Sequence, residues 1–306
     1  MIGLWIVVIR ICVITVQWAS KKEEINGIQR LSSGTVLVDY GPMRMFISVS
    51  EHGVPLSTLA EEGAHLAMTL LKDLSRCLPI IKRKGVTLEA NDDYPEVVRR
   101  MIGATQKIGE PDLTPLAAVA GTTSEMVADF VFSKGGTKVL VDNGGDVAIR
   151  LSEGETVRVG VKTEIGAKQP SYLISIDSTM GIGGVATSGL GGRSFTKGIA
   201  SAATVLAAKA SFADAAATVI GNFTNINEPN ISGTLAERIY PDTDIAGEWV
   251  TTKVGELAPE KIEQALNNGL SKANTLCRKK LIHGAFIALQ GRTIWTDFLN
   301  SLLTIL

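Results

Sequence analysis

Histidine and cysteine are scarce in this chain of 306 residues, with three of each. Cys12, Cys77 and Cys277 lie far apart, form no CxxC pair and cannot all pair with one another. That excludes a disulfide scaffold and a cysteine zinc site, and it suits a reducing compartment. His52, His65 and His283 stand at no metal-ligand spacing from one another; His65, inside an apolar helical pattern, reads as a packed or surface side chain. An excess of one charge is missing too. Thirty basic side chains face 31 acidic ones, so the basic stripe of a nucleic-acid binder is absent and no nucleic-acid partner is expected. The run Lys82, Arg83, Lys84 is short and reads as a solvated turn. Aromatics are few, at 5%, whereas glycine is generous, at 31 residues. A small-residue core with close backbone approaches follows from that balance.

A full membrane-spanning run is also lacking. Residues 2–16 are almost continuously apolar, broken by Arg10, and fall short of the roughly 20 residues a transmembrane helix needs. No Lys or Arg precedes the run, residues 16–20 make a poor cleavage site, and Arg10 and Ile11 before Cys12 do not fit a lipoprotein signal. Three readings remain: a weak membrane segment, a first strand, or an extension outside the fold. We take the last, with residues 1–24 as an apolar N-terminal extension and 25–306 as a single domain. The expected location is cytoplasmic, with membrane contact through residues 2–16 left open.

Residues 34–41 alternate and read as a strand, with 43–49 as its hairpin partner, turned at Gly41 and Pro42. Helical periodicity runs over 59–72 and continues toward Cys77, where Leu78 and Pro79 break it. A second, amphipathic helix covers 95–108. A third, rich in small residues and carrying Glu125 and Asp129, covers 116–132 and ends at Gly135 and Gly136. Strands are expected at 138–141, 147–151, 157–161 and 172–177, helices at 211–222 and 259–276, and a last strand at 282–289. Strands and helices alternate only loosely, which predicts an α+β fold with a mixed or antiparallel sheet packed by helices.

Chemistry concentrates in three places. Asp214 and Thr218 stand four residues apart on a predicted helix and face the same way. A carboxylate and a hydroxyl suit a hard cation such as magnesium. The alternative is an Asp214 that complements the helix dipole in the first turn, with Thr218 in the core. Asn143, Gly144, Gly145 and Asp146 follow an apolar strand; the glycines let backbone amides approach a ligand, and Asp146 can accept from a ribose or base. A hairpin turn explains the same four residues. Residues 183–189 contain Gly183, Gly184, Thr187, Ser188 and Gly189, and read as a loop whose hydroxyls and amides cradle a phosphate, or as a flexible surface loop. Neither a Walker loop nor a dinucleotide fingerprint is present, since Lys197 lacks the spacing and the following Ser or Thr. With no GxSxG and no Ser, His and Asp set, no catalytic residue is assigned.

Taken in order, these pieces resemble the ApbE superfamily, whose characterised members are FAD:protein FMN transferases. Residues 114–121 resemble the helix that begins near the family's Lys-Gly pair. Gly144, Gly145 and Asp146 look like its Gly-Gly-Asp loop, and Thr187, Ser188 and Gly189 like its Thr-Ser-Gly motif. Ala213, Asp214, Ala215, Ala216, Ala217 and Thr218 match its Ala-Asp-Ala-x-x-Thr motif, whose Asp and Thr bind magnesium. Residues 115–119 and the segment 191–198 look closer still to an uncharacterised prokaryotic branch, one of the UPF-series families. The resemblance implies an ApbE-like fold and magnesium at Asp214 and Thr218, helped by a backbone carbonyl near Val119 or Ala120. It implies FAD or a related nucleotide against Gly144, Gly145, Asp146, Thr187, Ser188, Gly189 and Glu125. It further implies two kinds of partner, a flavin or adenine nucleotide and a redox protein that accepts FMN. Two departures stand out: Ala120 replaces the transferases' lysine, and residues 190–199 hold no histidine. They favour the alternative of a non-transferase binding or accessory protein in anaerobic redox or sulfur metabolism.

Overall fold

The computed structural model describes residues 6–8, 27–89, 91–164 and 167–306. Alternating apolar positions build its strands. In Met43–Glu51, the side chains of Met43, Met45, Ile47 and Val49 are buried on one face. Among the described residues, a ten-stranded sheet forms the centre of the molecule. Its order runs from Arg292–Trp295 through Gly284–Leu289, Ala202–Ala207, Gly184–Ser188, Val147–Leu151, Lys138–Asp142, Met43–Glu51 and Val36–Tyr40 to Gly27–Arg30, with Val54–Pro55 paired onto Met43–Glu51. The pairings along this sheet are antiparallel.

Five helices longer than ten residues stand among the described residues: α1 (Ser57–Arg76), α2 (Glu96–Ile108), α3 (Val119–Ser133), α4 (Ala210–Phe223) and α5 (Pro259–Arg278). They form one layer. The first three cover Val36, Met45, Ile47, Val139 and Val141; α4 and α5 cover Ala203, Val205, Ala285 and Ile287. The opposite face of the sheet, with Val147, Ile149, Val185 and Phe286, packs on a second sheet of four strands. Those strands are Ile6–Val8, Thr156–Val161, Tyr172–Asp177 and Leu303–Ile305. Coverage on both faces explains why Ala202–Ala207 is buried at every position.

The α+β expectation holds, and the helices appear where periodicity put them. The third begins later than read from sequence, because Pro115–Ala118 is a 3-10 turn and α3 starts at Val119. Residues 284–289 are not the last strand; Arg292–Trp295 and Leu303–Ile305 follow. Within the apolar N-terminal run, the backbone of Ile6–Val8 pairs in parallel with Arg158–Gly160 of the small sheet. The rest of residues 1–24 lies outside the described residues. No described helix is long and apolar enough to cross a membrane.

A two-stranded arm, Ile231–Leu235 and Trp249–Val254, links α4 to α5. It is tied down through the basic turn near residue 83: Lys82 pairs with Asp242 and Lys84 with Glu248. Those lysines therefore anchor the arm as well as meeting solvent.

Candidate functional site

Helix α4 is brought unusually close to its neighbours, and glycine is the reason. A Cβ on Gly121 of α3 would lie 2.3 Å from the Ala210 carbonyl oxygen and 2.7 Å from the Asp214 Cβ. One on Gly184 would lie 2.2 Å from the Ala210 Cα, and one on Gly198 1.7 Å from the Gly221 carbonyl oxygen. Three glycines thus allow three elements to press their backbones onto one helix. The approach at Gly121 has a direct electrostatic consequence: its N–H, in the first turn of α3, donates to Asp214 Oδ2 at 2.8 Å. Asp214 therefore caps α3 while riding on α4.

The segment 183–189 is not a loop. Gly184–Ser188 is a strand in the middle of the large sheet, paired over its whole length with Ala203–Ala207. Its glycines are there because Gly183 and Gly184 meet Ala208 and Ala210, not because the chain needs mobility. On the other side the strand pairs with Val147–Leu151 only at Gly184 with Ala148 and Val185 with Val147. Beyond that point the ladder opens. The Thr187 N–H there donates to the Asp146 carboxyl. The Thr187 hydroxyl turns to Thr204, at 2.9 Å.

Asn143, Gly144, Gly145 and Asp146 close the hairpin between Lys138–Asp142 and Val147–Leu151. Gly144 and Gly145 take φ values of 75° and 109°, so the turn explanation of this sequence is correct. Asn143 is buried and donates to the Thr123 hydroxyl at 3.1 Å; the Ser124 hydroxyl donates to the Asp146 carbonyl at 3.0 Å. The loop is therefore fixed to α3, and its Asp146 side chain faces α4.

Asp146 and Asp214 meet at this end of the sheet. Both keep some solvent exposure, yet the surrounding protein disfavours their charged forms. Burial pushes the Asp214 carboxyl up to about 7, against the N–H bonds from Gly121 and Ala120. Asp146 is raised well above the usual carboxylate range, first by burial and then by the charges of Asp214 and Asp142; the Thr187 N–H and Arg193 act in the opposite sense. Thr218 lies one turn along α4, half-buried, on the Asp214 face.

No group of three or more His, Cys, Asp or Glu fit to hold a metal exists among the described residues. Two adjacent carboxylates that resist joint ionisation, with a hydroxyl one turn away, do fit a magnesium ion. Such an ion needs few protein ligands and completes its shell with water and substrate oxygen.

The remaining sequence candidates lie apart. Ser188 sits beside Gly221 of α4, and Gly189 packs its backbone against Ser201. Glu125 is buried, 3% exposed. Its Oε2 accepts from the Ser211 N–H at 3.1 Å and the Ser211 hydroxyl at 2.8 Å, and Oε1 accepts from Arg100 at 3.4 Å. That places Glu125 at the start of α4, beside a cleft of 580 Å³ lined by Arg100, Asp129 and Arg150. This cleft opens at the far end of Val147–Leu151 from Asp146. The role of Gly121 was not read from the sequence. The available signal was its place inside a helical pattern, where glycine costs about 1 kcal/mol against alanine and so needs a packing reason.

A family model described as AbpE bacteria matches residues 28–295. The chain belongs to this ApbE-like family. Among the family's curated relatives, a UPF0280 protein of Methanosarcina barkeri is 38% identical over 144 residues, 47% of this chain and 54% of that protein. The chain therefore spans about half the length of that relative. A UPF0280 protein of Methanopyrus kandleri is 37% identical over 192 residues, covering 60% of this chain and 76% of its own length. Among solved structures, the ApbE protein of Thermotoga maritima is 14% identical, covers 90% of this chain and 98% of that one, and gives a TM-score of 0.48. The apo flavinyl transferase ApbE of Pseudomonas stutzeri is 21% identical, covers 62% of this chain and 50% of that one, and gives 0.36.

Proposed function

We propose that this chain binds a flavin or adenine nucleotide together with a divalent cation, magnesium by the hardness of its ligands, at the Asp146 and Asp214 pair. The observation that carries this reading is the meeting of two carboxylates, from a hairpin and from α4, at the open end of one strand pair. Family membership supports the nucleotide, because the ApbE resemblance implies FAD as the substrate.

Each neighbouring group has a task in this reading. Asp214 and Thr218 hold the cation, with Asp146 facing it. The Gly121 N–H keeps the Asp214 carboxylate in one orientation, and the Thr187 N–H does the same for Asp146. Gly144 and Gly145 take the positive φ values that the tight turn needs, and the turn presents Asp146 toward α4. When bound, magnesium supplies positive charge that favours phosphate oxygens and polarises a pyrophosphate linkage.

Whether FMN is then transferred to a protein hydroxyl is a separate question. Ala120 and the histidine-free segment 190–199 favour binding without transfer, in an accessory protein of redox or sulfur metabolism. Incubation with FAD and magnesium, followed by chromatography for AMP, separates the two readings. AMP release that disappears in Asp214→Ala supports transfer or hydrolysis. Retained, intact FAD supports binding alone. No retention and no release contradicts both.

A further inference from the structure

The protein itself sets a cation beside Asp146. Arg193, in the segment between Gly184–Ser188 and Ala202–Ala207, is exposed and lies against the tip of the Asp146 hairpin. A Cβ on Gly144 would come within 2.5 Å of Arg193 Nη1 and 3.1 Å of its Cδ. The missing side chain at residue 144 is thus the seat of the guanidinium. Arg193 Nη2 also donates to the Pro42 carbonyl, which ties the hairpin at residues 41–42 to the same place. Its charge acts favourably on Asp146, opposite to Asp142 and Asp214. Lys197, four residues on, is engaged elsewhere by Asp112 and Glu248.

We propose that Arg193 binds the phosphates of the nucleotide at this site. This inference rests on the nucleotide reading above and adds a residue to it. The physical case is a balance of charge. A divalent cation offsets the two carboxylates. A diphosphate then brings new negative charge, and Arg193 is the side chain seated to meet it. A guanidinium suits that task because its planar fork can bond two phosphate oxygens at once. Held on a glycine and a carbonyl, it is oriented before the ligand arrives, which reduces the ordering cost on binding.

Arg193 stands in opposite relation to metal and to nucleotide, and the test uses that opposition. It repels the cation and attracts the phosphates. Manganese alone is measured by electron paramagnetic resonance, and ADP, inorganic pyrophosphate and adenosine are measured by calorimetry in saturating manganese. For Arg193→Gln, ADP and pyrophosphate are expected to weaken roughly ten- to a hundredfold, the range for a hydrogen bond to a charged group. Manganese alone is expected to bind as tightly as in the wild type or more tightly, and Arg193→Lys to recover part of the ADP affinity. Adenosine, which carries no phosphate, should not respond to the change. If ADP and manganese weaken together, Arg193 is structural and the proposal is overturned. Unchanged ADP affinity in the variant overturns it as well and leaves the nucleotide reading intact. A wild type that binds manganese but neither ADP nor pyrophosphate overturns both.

Discussion

Asp214→Asn is expected to stabilise the metal-free protein at neutral and alkaline pH. Asparagine keeps an oxygen to accept the Gly121 N–H, now 2.8 Å from Asp214 Oδ2, and removes the charge. Burial holds the native carboxyl at about 7 against an ordinary 3.8. The native state therefore binds this proton more tightly than the unfolded chain does. The contribution of this carboxyl falls as pH rises from about 4 to about 7 and levels above that. A displacement of roughly three units corresponds to about 4 kcal/mol when the group is fully ionised. Between pH 5 and pH 8 the wild type should lose about 2–3 kcal/mol relative to the variant. At pH 8, where the full penalty of about 4 kcal/mol applies, the variant's Tm should be higher by roughly 8–16 °C at 2–4 °C per kcal/mol. Urea unfolding in EDTA, followed by tryptophan fluorescence at both pH values, reads this directly. A variant destabilised by the same amount at pH 5 and pH 8 would contradict this pH dependence. It would show that Asp214 serves α3 as a cap and bears no ionisation penalty.

Three further outcomes are expected. Gly121→Ala would force a methyl to 2.3 Å from the Ala210 carbonyl, so α3 and α4 must part; a loss of about 1–3 kcal/mol in urea unfolding, together with loss of any magnesium-induced thermal shift, is expected, and an unchanged shift would contradict the role given to this contact. Glu125→Gln leaves Arg100 with one fewer buried counter-charge and weakens the hold on Ser211, which should cost about 1–3 kcal/mol while cation affinity stays near wild type. Asp146→Asn removes the second raised carboxyl but leaves the burial that lifts Asp214, so the stability decline should become shallower while the Asp214 midpoint stays at about 7, and a midpoint that falls to the ordinary carboxylate range would show that charge rather than burial sets it.

Much of the fold was legible because periodicity reports burial. Met43, Met45, Ile47 and Val49 mark a strand, and the apolar stripe of Glu96–Ile108 marks a helix, without knowledge of their partners. Glycine was the ambiguous letter. Gly144 and Gly145 were correctly legible as a turn. Gly183 and Gly184 have the same local signature, but close contacts with Ala208 and Ala210, distant in sequence, decide their conformation. A phosphate loop was therefore expected where a central strand lies. The arm of Ile231–Leu235 and Trp249–Val254 escaped notice because it is held by Lys82, Lys84 and Thr196, through contacts between residues far apart in the chain. At the site, Asp146 and Asp214 were each visible as candidates. Their meeting, 68 residues apart by the numbering, is a property of the sheet order that places Gly184–Ser188 beside Val147–Leu151.

If one cation and one nucleotide share the Asp146 and Asp214 pair, FAD affinity depends on magnesium and on Asp214 together. Calorimetric titration of the protein with FAD, in magnesium and in EDTA, for the wild type and Asp214→Asn, reads that dependence. FAD should bind the wild type in magnesium, and binding should weaken by at least roughly tenfold, about 1.4 kcal/mol, in EDTA or in the variant. FAD affinity that ignores both magnesium and Asp214, or no FAD binding under any condition, would contradict it.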